Sequence, residues 1–307
     1  MNFSRRSFLA MAALAAQTRA AGRAMQMHLS CGALGIQASQ RQAIDLAAKH
    51  GFDVVDADGK YLGGLSDSEL HELLGTMEAK KIGWAMAGLP VEFRRDEAMF
   101  SAGMADLPGY ARGIARAGVR SVTTWVRPGS NDLTYLANFN LHAARFRQMA
   151  RVLDGAGLRL GIEYVAPKTS WVSQRYPFIH TMGEMRDLVA EVGASNVGLV
   201  LDSWHWFHAG DGGADILGLR AADVVSVDLN DAPADVAKDQ MLDGKRELPA
   251  ATGVIDAKTF LQSLKQIGYA GPVRAEPFNE AVRRLSPDDA AEAAAVALRK
   301  AYSAAGV

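Results

Sequence analysis

The chain has 307 residues, 49% hydrophobic, 22% charged and 7% aromatic, a globular composition that excludes disorder, collagen and coiled coil. No run of ~20 apolar residues is present to cross a bilayer, and the one cysteine, Cys31, excludes an intrachain disulfide and any CxxC zinc or redox motif. Charge is balanced at 33 basic against 34 acidic residues; without the first 23 residues it falls to 29 against 34, a mildly acidic body unsuited to a phosphate backbone, so no nucleic acid is expected as partner.

Taken in chain order, the first feature is an address. Residues 4–10 read SRRSFLA and lead into the small apolar run MAALAA, with no acid before residue 23. Paired Arg5 and Arg6 ahead of a short hydrophobic segment predict a twin-arginine-type signal over 1–23, with Ala20 and Ala21 suited to cleavage. The run Phe8 to Ala16 is too short for a membrane anchor. This reading places the folded domain, 24–307, in the periplasm; an ordinary amphipathic first helix would leave it in the cytoplasm.

From about Gln26 onward, short apolar runs alternate with segments of helical period. The predicted strands lie at 25–32, 52–58, 81–88, 119–126, 158–165, 196–203, 224–231 and 272–278. Between them stand segments such as RQAIDLAAKHG, in which Ile44, Ala47, Ala48 and Phe52 share one helical face. Gly51, Gly83, Gly118, Gly157, Gly193 and Gly268 stand just before the next strand and predict helix C-caps. Eight strand–helix units predict an α/β fold of one (β/α)8 barrel; a doubly wound sheet is the weaker reading, because no glycine-rich phosphate fingerprint follows the first strand.

Barrel active sites lie at the carboxyl ends of the strands. Four late strands end there in an acid: Glu163 in LGIEYVAP, Asp202 in GLVLDSWHWF, Asp228 in VSVDLNDAP and Glu276 in VRAEPF. One such acid is readily a helix cap or half of an ion pair. Four converging on one mouth repel one another and stay ionised together only beside a compensating cation, so an all-oxygen divalent-metal site is expected. Arg274, two residues before Glu276, faces the same side and is expected to pair with a ligand.

With these motifs in place the chain resembles the xylose-isomerase-like TIM barrels over about 25–300. The resemblance rests on Glu163 at the end of strand five, the D-x-x-H of Asp202 to His205, the strand-seven V-x-L-N-D segment and the E-P-F that closes strand eight. It implies one divalent ion held by Glu163, Asp202, Asp228 and Glu276, with His205 on the substrate. Strand seven departs from the pattern: Asp228 stands where the family usually has histidine. Four carboxylates without imidazole favour Mn2+ or Mg2+ over zinc.

The resulting expectation is a divalent-metal-dependent isomerase or epimerase for a sugar or cyclitol carbonyl compound. It would act through an enediolate, with Glu163 and Glu276 as the acid–base pair. Elimination by a dehydratase or lyase shares the first step and is the second reading; a sugar-binding barrel without catalysis is the third. The expected partner is a small polyhydroxy carbonyl molecule, and a homo-oligomer is compatible with the sequence. Trp125 at a strand end, and Lys245 and Arg246 in the loop after strand seven, are further substrate-binding candidates. Decoys fall away on spacing: the acids near Gly59 fail the calcium-loop pattern, HELLG at His71 is not HExxH, and a multi-zinc nuclease would need more than the seven histidines present.

Overall fold

A computed structural model describes residues 25–307; the expected signal segment, 1–23, lies outside the described residues. Eight strands close into a barrel: β1 Gln26–Leu29, β2 Val54–Ala57, β3 Gly83–Gly88, β4 Ser121–Trp125, β5 Arg159–Glu163, β6 Val197–Asp202, β7 Val224–Leu229 and β8 Pro272–Ala275. Each is parallel to its sequence neighbour, and β8 returns to β1 with Met27 beside Val273. Helices follow the strands in turn: α1 Gln40–His50, α2 Asp67–Lys80, α3 Glu97–Arg116, α4 Tyr135–Asp154, α5 Met182–Val192, α6 Gly213–Leu217, α7 Ala257–Gln266 and α8 Pro287–Ala305. The eight expected units are all present, as one (β/α)8 barrel.

Local chemistry fixes these boundaries. Ser39, Ser66 and Thr181 open α1, α2 and α5 with reciprocal capping boxes, each closed by a Gln or Glu three residues on. Gly51 and Gly193 end α1 and α5 in the left-handed conformation, where a side chain would be strained. Gly83 differs from expectation. It is the first residue of β3, and the left-handed position after α2 is taken by Lys81, at φ 58°. β6 and β7 are buried along their whole length, the mark of parallel strands covered on both faces. Their closing acids are therefore carried into a dry strand-end rim.

Candidate active site

Glu163 is the last residue of β5, Asp202 the last of β6, Asp228 the penultimate residue of β7, and Glu276 the first residue beyond β8. Parallel register sets Asp202 beside Asp228, and Asp228 beside Arg274. Asp202 and Asp228 have no exposed surface, and one oxygen from each of the four acids lies within 4.8 Å of the others. The structure thus brings together the four acids singled out from the sequence.

It also supplies two cations, of which the sequence reading places only Arg274 beside an acid. Arg246 is buried at the centre, its Nη1 donating to Asp202 Oδ2 at 2.7 Å and to Glu276 Oε2 at 3.0 Å. Arg274 donates through Nε and Nη2 to the two oxygens of Asp228 at 2.6 and 2.7 Å, and through Nη2 to Glu276 Oε1 at 2.7 Å. Burial opposes the charge on both guanidiniums, but the facing carboxylates outweigh it and hold them charged more firmly than usual. Counted against the four acids alone, two cations leave two negative charges uncompensated, and Asp243, which also draws on Arg246, adds to the excess. Glu163 carries the strain: burial first, then Glu276, Asp228 and Asp202, push its carboxyl well above the usual range. Burial likewise raises Glu276, although Arg274 and Arg246 pull the other way.

His205 sits against this ring, with Nε2 3.6 Å from Asp202 Oδ2 and 3.8 Å from Glu163 Oε1. The backbone N–H of Ala166 donates to its Nδ1 at 3.2 Å, so Nε2 bears the proton and points at the acids. Burial keeps the ring neutral against the pull of Asp202 and Asp243. Three other residues, whose roles the sequence reading did not assign, hold the frame. Asn230 donates to Asp202 Oδ1 at 2.9 Å and accepts the Glu276 N–H at 3.0 Å, so one side chain ties β6 to β8 across β7. Asp243 accepts from Arg246 at 2.8 Å, and Ser203 donates to the Asn230 carbonyl. Asn230 stands inside the V-x-L-N-D segment; its position two residues beyond Asp228 was the available signal.

The substrate-binding candidates divide. Arg246 is part of the ring itself, whereas Lys245 is exposed and shares none of its polar contacts. The Arg246 guanidinium stands over the Trp204 and Phe278 rings, 5.5 and 4.7 Å from their centroids. Trp125 stands in register beside Glu163, 43% exposed, with the Arg94 guanidinium 4.5 Å over its ring. Trp204 and Trp206 are core residues. Arg274 pairs with two of the acids, as its position predicts. At the ends of the early strands, Asp58 is a helix cap, and Asp56 lies 2.9 Å from His28 and within electrostatic reach of Arg274.

Glu163 Oε1 is buried and has no hydrogen-bond partner. A buried carboxylate oxygen in that state is far costlier than a paired one. Together with the all-oxygen donor set and the two uncompensated charges, it fits one divalent cation. The four acids could hold it.

A (β/α)8 barrel with such a ring at its strand ends defines a class, the acid-mouthed barrel enzymes that work on small polar molecules. The particular kinship follows from comparison. The chain belongs to the xylose isomerase-like TIM barrel family, whose profile matches residues 44–301. It is 25% identical to an inosose isomerase of Bacillus velezensis over 261 residues, 81% of this chain and 87% of that one. It is 32% identical to a 3-dehydroshikimate dehydratase of Pseudomonas aeruginosa over 145 residues, 47% of this chain but 21% of the relative. Among solved structures it resembles a xylose isomerase domain protein from Alicyclobacillus acidocaldarius, at 32% identity and TM-score 0.81, covering 92% of this chain and all of the other. An IolI protein solved with a bound zinc atom shares the fold at 21% identity and TM-score 0.76, covering 91% of this chain and 98% of that one. The chain is accordingly a sugar isomerase/epimerase-like enzyme.

Proposed function

We propose that the protein is a divalent-metal-dependent isomerase or epimerase of a sugar or cyclitol carbonyl compound, with Glu163 and Glu276 as its acid–base pair. The observation that carries this reading is the buried, unpartnered Oε1 of Glu163 beside a ring with two uncompensated negative charges. The four acids Glu163, Asp202, Asp228 and Glu276 ring the place of the ion; Mn2+ or Mg2+ suits oxygen donors. When bound, the ion supplies Lewis-acid polarisation of a carbonyl and lowers the acidity barrier at the neighbouring carbon. Glu163 takes the proton from that carbon. Glu276, anchored by two guanidiniums, holds and returns a proton on the opposite side. The Nε2–H of neutral His205 donates to a substrate oxygen, and Trp125 offers a flat apolar wall to the ring face. The N–H forks of Arg246 and Arg274 keep developing oxyanion charge from being expelled by the acids around it.

Resemblance to inosose isomerase supports a cyclitol or sugar ketone as substrate. The partial likeness to a dehydratase supports a second reading, in which the same proton abstraction expels a β-hydroxyl. One experiment separates them. Keto-sugars, 3-keto-glycosides and inososes are incubated with the protein and Mn2+ in deuterated water, the metal is chelated, and NMR spectra are recorded. Exchange of a C–H next to the carbonyl with the skeleton retained supports isomerase chemistry; a new vinylic signal supports elimination. Absence of exchange in every ketone overturns both.

We further propose that residues 1–23 direct export to the periplasm, on the strength of the Arg5–Arg6 pair and the acid-free leader.

A further inference from the structure

We propose that Asp228 is withheld from the metal by Arg274, so that the ion's carboxylate ligands are Glu163, Asp202 and Glu276 only. The inference rests on the reading of this mouth as a divalent-cation site and refines which residues serve it.

The argument is geometric. Asp228 has no exposed surface, and both of its oxygens accept from one planar guanidinium, Nε at 2.6 Å and Nη2 at 2.7 Å. A two-point fork of this kind is the strongest charge pair available to a carboxylate. The partners sit on adjacent strands in direct register, so the barrel backbone, rather than a flexible loop, sets the fit. For Asp228 to ligate, it would have to accept a dication on an oxygen already facing a cation, or break the fork and strand a buried guanidinium. The other acids are held differently. Glu163 has an oxygen with no hydrogen-bond partner and no guanidinium on it. Glu276 has a guanidinium N–H on each oxygen, but from two different arginines rather than one fork, and Asp202 takes a single guanidinium N–H on Oδ2 while its Oδ1 accepts from neutral Asn230 and the Trp204 N–H. Asp228 and Arg274 therefore form a charge-neutral pair beside the ion, from which Arg274 Nη2 also reaches Glu276 Oε1.

The test exploits that neutrality, because removing both partners leaves the net charge of the mouth unchanged. Mn2+ affinity of the full chain is read from the electron paramagnetic resonance of the free ion, with circular-dichroism melting to confirm folding. Asp202→Asn, the ligand control, should weaken Mn2+ on the order of 100-fold or more, beyond the loss usual for outer-sphere partners. The double variant Asp228→Asn/Arg274→Met, in which Glu276 gives up one guanidinium contact, should weaken Mn2+ by no more than about tenfold, the low end of an outer-sphere loss. Arg274→Met alone should tighten Mn2+ by roughly tenfold or more, since it removes a nearby positive charge and frees a carboxylate. Should the single variant not fold, with Asp228 left buried and unpaired, the double variant still decides. A double variant as weak as Asp202→Asn makes Asp228 a ligand and overturns the inference while leaving the metal site standing. A parent chain that takes up no Mn2+ overturns both.

Discussion

At the scale of the residue, one strand-end carboxylate is ambiguous and its surroundings decide its role. Glu163 and Asp228 both close buried strands, yet one keeps a bare oxygen and the other is locked in a guanidinium fork. Glu276 lies between these cases, within reach of both arginines, and is the residue on which the proposed chemistry most depends. Glu276→Gln keeps the shape and the backbone bond to Asn230 but cannot exchange a proton. Deuterium exchange into the substrate should fall by at least ~10²-fold, the scale of lost general acid–base help, with the melting temperature little changed or raised. Exchange at the parent rate would show that the proton travels another way.

At the scale of the element, α4 carries a titration far from the site. His142 is buried among Phe93, Phe146 and Phe178, with Nδ1 donating to the Asn138 carbonyl at 2.9 Å. Burial, reinforced by Arg145 and Arg94, lowers its pKa to about 4. The ordinary value near 6.5 holds in the unfolded chain. The folded state is then the worse proton binder, so this residue costs nothing above pH 6.5 and destabilises the fold progressively as pH falls from 6.5 to 4. The total over that window is on the order of 3 kcal/mol. His142→Leu should flatten much of the acid limb in urea midpoints measured from pH 7 to 4. Half-buried His208, lowered to about 4 by burial and its cationic neighbours, keeps part of the slope. Parallel limbs in the two proteins would rule His142 out as the cause.

At the scale of the whole molecule, the ring links four strands, so its occupancy should be felt by global unfolding. An ion that binds only the folded state at 100 times its dissociation constant stabilises by about 2.7 kcal/mol. For a domain of this size that is a rise in Tm of roughly 5–10 °C. Adding Mn2+ to chelator-treated protein should raise Tm by this amount, and Asp202→Asn should abolish the rise. An unmoved Tm would contradict tight ion binding. The export proposal is tested separately: replacing Arg5 and Arg6 by lysine should hold the chain in the cytoplasm, and unchanged cell fractionation would return the leader to an ordinary first helix.

How much of this was legible beforehand follows from what is local. Strand–helix alternation, Gly at helix ends, and acids closing apolar runs are written in neighbouring residues, because burial period and capping act over a few positions. The sequence by itself therefore determined the eight-unit barrel and the four acids at its mouth. Two of its local readings still yielded to context: Gly83 was drawn into β3 while Lys81 took the left-handed turn, and Lys245 was left in solvent while its neighbour Arg246 was buried. Only the tertiary structure decided how the charges pair. Asp228 meets Arg274 because β7 and β8 align 46 residues apart, and Arg246 reaches Asp202 from 44 residues away. Asn230 becomes a tie between β6 and β8 by standing just past the end of the strand that separates them. Electrostatic compensation depends on distances of a few ångströms between residues remote in sequence, and those distances exist only once the barrel has closed.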